Sequence, residues 1–311
     1  MGKGNKMELK NKLEEYNIKH FSASQLNIPL NLWWFKYIKL TPEERKKIEF
    51  GVPATAGTAI HESLDMVLQE TNPNTFEYDQ ETIDLIFDEI GNKIDEHVAV
   101  NENDAQKMIG CKEHAPMTAQ NMLDVTIDTL KEIKGENFKP AKHKTFVETN
   151  FEQQILWQPK ELSVPIIGYA DVLINNPKTI IEFKTLQPRL GAMRKDGTKG
   201  FSVASIPKIP RLNYLEQITV YWEAMNREYY PIIIVGNKNK AEAFHPDNCE
   251  EMSFGNLELY SRSMIKKARL RQSLIMLDDP ISVLDTPDFI GDFYWNLGDE
   301  LENKAKDLWL K

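Results

Sequence analysis

Cysteine is scarce in this sequence, because Cys111 and Cys249 are the only two among 311 residues. Two distant cysteines do not build a disulfide framework, nor can they supply the four thiolates of an iron–sulfur cluster. Long apolar runs are also missing, and the mean hydropathy of −0.47 excludes a transmembrane helix. The polar opening stretch lacks the apolar segment of a signal peptide, so we expect a cytoplasmic protein that has no membrane partner.

Excess positive charge is absent as well. The formal net charge is −9, which counts against a protein that coats nucleic acid over its whole surface. It does not exclude an enzyme that holds nucleic acid along one local stripe. The hydrophobic fraction of 41% in a chain of this length is enough for a sizeable core.

Residues 164–188 predict two short strands joined by a tight turn. The first strand covers 166–174 and contains Asp171, and the second covers 179–183 and is followed by Lys184. Glu182 and Lys184 are two residues apart, so they project from the same face of the strand. Since the chain folds back on itself, Asp171 and Glu182 can meet near one end of the hairpin. Two carboxylates beside one amine indicate a Mg²⁺ site, and a buried salt bridge is the structural alternative.

Three other features have both a structural and a functional interpretation. His61 lies on a helix that we predict to begin at Gly57, where a histidine is typically a polar neighbour of the core. Glu148 lies in a preceding strand, either facing solvent or as a third carboxylate near a metal. The aromatic residues at 33–37 pack in the core or stack on nucleobases. The region 62–140 predicts a helical insertion in which 97–116 is irregular.

Residues 187–214 carry six basic residues and one acid, with glycines and prolines typical of a mobile loop. Such a loop is either simply solvated or contacts phosphates. The basic residues are Arg189, Arg194, Lys195, Lys199, Lys208 and Arg211. On the helix that follows, Gln217 and Tyr221 are four residues apart and share one face. This face either contacts substrate or packs against the rest of the protein.

Several short motifs occur in a fixed order along the chain. They are Gly57–His61 (GTAIH), Glu148, Gly168–Asp171 (GYAD), Glu182–Lys184 (EFK) and Gln217–Tyr221 (QITVY). Together they resemble the PD-(D/E)XK nuclease superfamily in its RecB-like branch, which includes phage, CRISPR-associated and mitochondrial exonucleases. The resemblance spans residues 20–240. Ile28 precedes Pro29 where iron–sulfur members of the branch have a cysteine, so no cluster is expected.

The resemblance implies a role for each matching residue. Lys184 is expected to be catalytic together with Asp171 and Glu182. The ligands of one or two Mg²⁺ or Mn²⁺ ions would come from His61, Asp171, Glu182, the Phe183 carbonyl and, less securely, Glu148. Residues expected to contact DNA are Gln217 and Tyr221 and, in the basic segment, Arg189, Arg194, Lys195 and Lys199.

The implied fold is α/β, with a restriction-endonuclease-like core in which helices flank a central mixed sheet. We expect a charged lead-in (1–19), a nuclease domain (20–247) and a C-terminal helical extension (248–311). The expected activity is metal-dependent exonucleolytic hydrolysis of DNA single strands or duplex ends, in phage metabolism or in repair and recombination. Replication or recombination proteins would be its partners, in a bacterial or host-cell cytoplasm. The alternatives are a non-catalytic nucleic-acid-binding module and a structure-specific endonuclease.

Overall fold

A computed structural model describes residues 3–71, 78–134, 150–175, 177–193, 199–289, 295 and 297–310. The fold is α/β, with a mixed central sheet flanked by helices. The helices are α1 (Lys3–Glu15), α2 (Leu30–Trp34), α3 (Pro42–Arg45), α4 (Val52–Glu70), α5 (Gln80–Asp95), α6 (Glu102–Lys134), α7 (Leu212–Ala224), α8 (Phe254–Ile275) and α9 (Asp299–Trp309). The strands are β1 (Phe21–Ser22), β2 (Asn150–Trp157), β3 (Ile166–Asn175), β4 (Lys178–Thr185), β5 (Arg189–Met193), β6 (Lys199–Ser202), β7 (Tyr230–Asn237) and β8 (Lys240–Phe244).

The predicted hairpin forms the middle of the central sheet. Strands β3 and β4 pair antiparallel from Val172 opposite Ile181 to Asn175 opposite Lys178. Strand β4 then pairs in parallel with β7 from Thr179 to Thr185, and β8 adds an antiparallel edge. On the other side, β2 pairs antiparallel with β3, while β1 adds a short parallel pairing. The apolar runs of β4 and β7 follow from this position, since helices cover both faces of the sheet.

Strand β3 separates from β4 at Asp171. The β2 ladder occupies one edge of β3 from Ile166 to Leu173, so both β4 and β1 lie along its other edge. On that edge β4 pairs with residues 172–175 and β1 with 166 and 167. Residues 168–171 therefore face a gap in the ladder among the described strands. Side chains that reach this gap can meet there without being covered by a neighbouring strand.

Two apolar layers enclose the sheet. One face packs against α4, α5 and α6, with Phe183, Ile181 and Ile232 at its centre. The other face packs against α7, α8 and α1 through Ile180, Ile233 and their neighbours. Among the described residues, no helix is both long and apolar enough to cross a membrane.

The aromatic residues at 33–37 belong mainly to the core. Trp33, Trp34 and Phe35 are fully buried, which confirms the packing interpretation for them and leaves their rings no surface for a nucleobase. Trp33 packs against Phe21, while Phe35 packs against Trp295 in a smaller cluster with α9.

The predicted irregular segment at 97–116 is wrong, because α6 runs continuously through most of it. Cys111, Ala115 and Ala119 are buried at a spacing of four residues, so one face of this polar stretch packs on the sheet. Pro116 lies inside the helix and does not end it. Tertiary packing here outweighs the composition that suggested a loop.

The predicted start of the His61 helix is also wrong, since α4 begins at Val52 rather than at Gly57. A side chain from 52 residues away caps this helix, with the Val52 N–H donating to Asp104 Oδ1 at 2.9 Å. His61 therefore lies in the middle of α4 and not in its first turn. A cap supplied by a distant residue leaves no local signal in the sequence.

In the described part of the basic segment, β5 and β6 form a two-stranded sheet where a loop was predicted. Phe201 of this hairpin lies against Gly110 of α6, where a Cβ atom would come within 2.5 Å of the ring. The same ring contacts His114 edge-on. An apolar anchor inside a charged segment thus docks the hairpin on the long helix.

Candidate active site

The gap between β3 and β4 brings the predicted residues together. The Asp171 side chain lies where the ladder ends, and its Oδ2 accepts the Phe183 N–H at 2.6 Å in place of a strand partner. Its Oδ1 lies 3.5 Å from His61 Nδ1, and the His61 ring contacts Phe183 edge-on. Helix α4 thus presents its histidine to the first acid of the hairpin.

Lys184 sits between the sheet and α7. Its Nζ donates to Glu182 Oε1 and, at 3.0 Å, to Gln217 Oε1. Gln217 in turn donates from Nε2 to the Tyr221 hydroxyl at 2.7 Å. The helical motif therefore holds the lysine from the side opposite the acid. Burial by itself lowers the pKa of Lys184, but the charges of Glu182 and Asp171 outweigh it and raise the pKa, so the amine stays protonated at neutral pH.

Glu182 is almost completely buried, and its Oε2 atom has no hydrogen-bond partner. Burial first, and then the charge of Asp171, raise the pKa of Glu182 to about 7, although Lys184 acts in the opposite direction. For Asp171, burial raises the pKa, but His61, Lys184 and the Phe183 N–H outweigh it and lower the pKa overall. Burial and Asp171 thus both disfavour the charged form of Glu182, and a cation bound at the pair would favour it.

Asp171 and Glu182 form a pair of carboxylates that could bind a cation. Among the described residues, no three His, Cys, Asp or Glu side chains lie close enough together to hold a metal ion, so His61, Asp171 and Glu182 do not form the predicted three-residue ligand set. Mg²⁺ needs fewer, since it is typically bound by one or two carboxylates with water and substrate phosphate. The unpartnered Oε2 of Glu182 is a free donor atom of this pair, whereas His61 faces Asp171 with Nδ1 and its buried Nε2 has no partner.

The remaining predicted site residues have mixed outcomes. Arg189 is exposed at the start of β5, while Lys199 donates to Asn103 Oδ1 of α6 at 3.0 Å. Glu148, Arg194 and Lys195 lie outside the described residues.

Sequence reasoning missed Tyr214 and the stacking role of Arg211. The Lys184 Nζ lies 5.3 Å from the centre of the Tyr214 ring, and the Arg211 guanidinium lies 5.7 Å from the same centre. Tyr214 precedes Gln217 by three residues and Tyr221 by seven, which is the spacing of one helix face. That spacing was a usable signal in the sequence.

Gly168 is required by the helix above it. A Cβ atom at this position would lie 2.1 Å from Cε1 of Tyr221, a ring that is fully buried. The glycine of the Gly168–Asp171 motif thus lets α7 approach β3 closely enough for Gln217 to reach Lys184.

We expect Gly168→Ala to lower the free energy of unfolding by about 1–3 kcal/mol, the usual cost of overpacking a well-packed core. Chemical denaturation measures this change. Tyr221→Ala provides the matched control, because in its background the added methyl group has room and should cost much less than it does alone. Equal costs in the two backgrounds would contradict the contact between Gly168 and Tyr221.

No family model matches this chain, and no curated protein matches it either.

Proposed function

We propose that the protein is a metal-dependent deoxyribonuclease, an exonuclease that hydrolyses phosphodiester bonds at the gap between β3 and β4. The observation that carries the proposal is the convergence of Asp171, Glu182 and Lys184 at this gap, with the Glu182 Oε2 atom left without a partner. The order of the sheet around these residues favours a restriction-endonuclease-like core of the RecB-like branch.

The protein's own groups would divide the work of hydrolysis. Lys184, charged and held by Glu182 and Gln217, would stabilise the negative charge that develops on the phosphoryl oxygens. Asp171 and Glu182 would hold a divalent cation, and His61 would bind Asp171 through Nδ1 rather than the ion. When bound, the cation lowers the pKa of a water molecule and polarises the phosphate.

Arg211 would add a phosphate contact beside the reacting group. Its guanidinium is on the same aromatic ring as the Lys184 amine, and among the described residues it has no ion-pair partner. An arginine that lies over a tyrosine ring and has no acidic partner is suited to a phosphate of the substrate.

The rival functions are a non-catalytic binding module and a structure-specific endonuclease. A binding module has no need for a buried acid with an unpartnered oxygen beside a charged lysine. Burying such a group costs free energy, and these costs concentrate at functional sites. The carboxylate pair therefore favours an enzyme over a module.

The test is digestion of end-labelled linear DNA and of circular single-stranded DNA, with Mg²⁺, Mn²⁺ or EDTA. We expect nucleotides to be released from linear DNA with either metal, no release in EDTA, and intact circles. Cleaved circles would indicate an endonuclease. Failure to cleave any substrate with either metal, while DNA is still bound, would contradict the enzyme and favour the module.

A further inference from the structure

Two large apolar side chains are exposed on the strands next to the candidate active site. Leu156 of β2 is 57% exposed and Tyr169 of β3 is 52% exposed. Among strand residues with described side chains, they are the only exposed large hydrophobic ones. Helices cover both faces of the sheet elsewhere, so the exposure of Leu156 and Tyr169 is unusual for this sheet.

These side chains lie on one face of the β2–β3 ladder. Gln154 is directly opposite Tyr169, and Leu156 is directly opposite Ile167, so all four share a face. The alternate residues Ile155 and Gly168 point the other way, toward the buried layer that contains Tyr221. We call Gln154, Leu156 and Tyr169 the β2–β3 platform.

The platform adjoins the site. Tyr169 precedes Asp171 by two residues on the same strand, a separation of about 7 Å along the strand. Asp171 faces His61 of α4, and residues two apart in a strand share a face, so Tyr169 flanks the acid on that side. The Gln154 amide donates to the Tyr169 hydroxyl at 3.4 Å and orients the ring.

We propose that the β2–β3 platform stacks an unpaired nucleobase on Tyr169, next to the phosphate to be cut, which makes single-stranded nucleic acid the preferred substrate. This inference rests on the proposed function and names its substrate class. An exposed aromatic ring binds any base through its π-face, whereas a base inside a duplex is already stacked on its neighbours. Lys184 and Arg211, which share the Tyr214 ring, lie on the α7 side of the gap, where their positive charge would meet the backbone of a strand that reaches the gap from the platform.

The experiment measures binding without hydrolysis. Fluorescence anisotropy in EDTA would compare a labelled chain of twenty thymidylates with a chain of equal length in which every base is missing. We expect Tyr169→Ala to weaken binding of the thymidylate chain about tenfold, which is within the range for one stacked base. Tyr169→Phe should bind normally, and the abasic chain should bind equally to all three proteins.

A second exposed ring provides the control. Phe254 of α8 is 48% exposed and stacks on Trp222, outside the platform, so Phe254→Ala should leave both affinities unchanged. Thermal unfolding of each variant separates a lost contact from a lost fold.

Three results would contradict base stacking on the platform. They are normal binding of the thymidylate chain by Tyr169→Ala, an equal loss of affinity for the abasic chain, and no binding of the thymidylate chain by the natural protein. Because EDTA prevents metal-dependent cleavage, the outcome does not depend on hydrolysis. Base-dependent binding without cleavage under any metal would contradict the nuclease alone. If Tyr169→Ala cleaves single strands and binds them as the natural protein does, only the base-stacking role of the platform is contradicted.

Discussion

Lys184→Ala should lower the rate of DNA hydrolysis by at least about 100-fold, the usual cost of removing one preorganised group that stabilises transition-state charge. The expected loss is large because this amine is the only described cation that contacts both Glu182 and Gln217. Single-turnover digestion of a linear strand in Mg²⁺ would measure it. DNA affinity should change little, since the variant removes a single charge from the binding surface.

The control for this prediction lies on the same strand. Lys178 also belongs to β4, but it is exposed and pairs with Glu228 far from the gap. Lys178→Ala should therefore hydrolyse DNA at the natural rate. If both lysine variants cut as fast as the natural protein, Lys184 has no part in the chemistry. If only Lys184→Ala loses activity while it still binds DNA, the enzyme is supported over the binding module.

Glu182 should make the metal-free protein less stable as the pH rises from about 4.5 to about 7. Its pKa is about 7 in the folded protein, because of burial and the charge of Asp171, whereas the ordinary value is 4.5. In this window the folded state holds more protons than the unfolded state, so the free energy of unfolding falls with increasing pH. The fall due to this group is on the order of 1–3 kcal/mol.

Glu182→Gln isolates this contribution, since its amide does not titrate. Chemical denaturation of both proteins in EDTA at pH 5 and pH 7.5 gives the comparison. The natural protein should lose more stability between the two pH values than the variant does. Parallel profiles would show that Glu182 is ionised throughout, and the raised pKa of its buried carboxyl group would then be wrong.

Local patterns predicted the centre of the fold well. The apolar runs around Asp171 and Glu182 defined both strands of the hairpin, because alternation and a turn at Pro177 are encoded within a few residues. The pair Gln217 and Tyr221 followed from the helical repeat alone.

Features made by distant residues could not be predicted in this way. The start of α4 depends on Asp104, and the order of the basic segment depends on the contact of Phe201 with Gly110. The gap at Asp171 lies between the β4 pairing and the β1 pairing, two strands that are distant in sequence. Each is a tertiary contact that leaves no periodic trace in the local sequence.

Arg271 of α8 has a consequence for biosynthesis. It is buried, and it donates to the carbonyl oxygens of Gln25 and Ile28 at 3.2 and 2.9 Å while it lies over the Trp33 ring. These carbonyls are made more than 240 residues before the guanidinium that binds them. On a translating ribosome, the segment around Pro29 therefore gains these hydrogen bonds only after α8 has been synthesised.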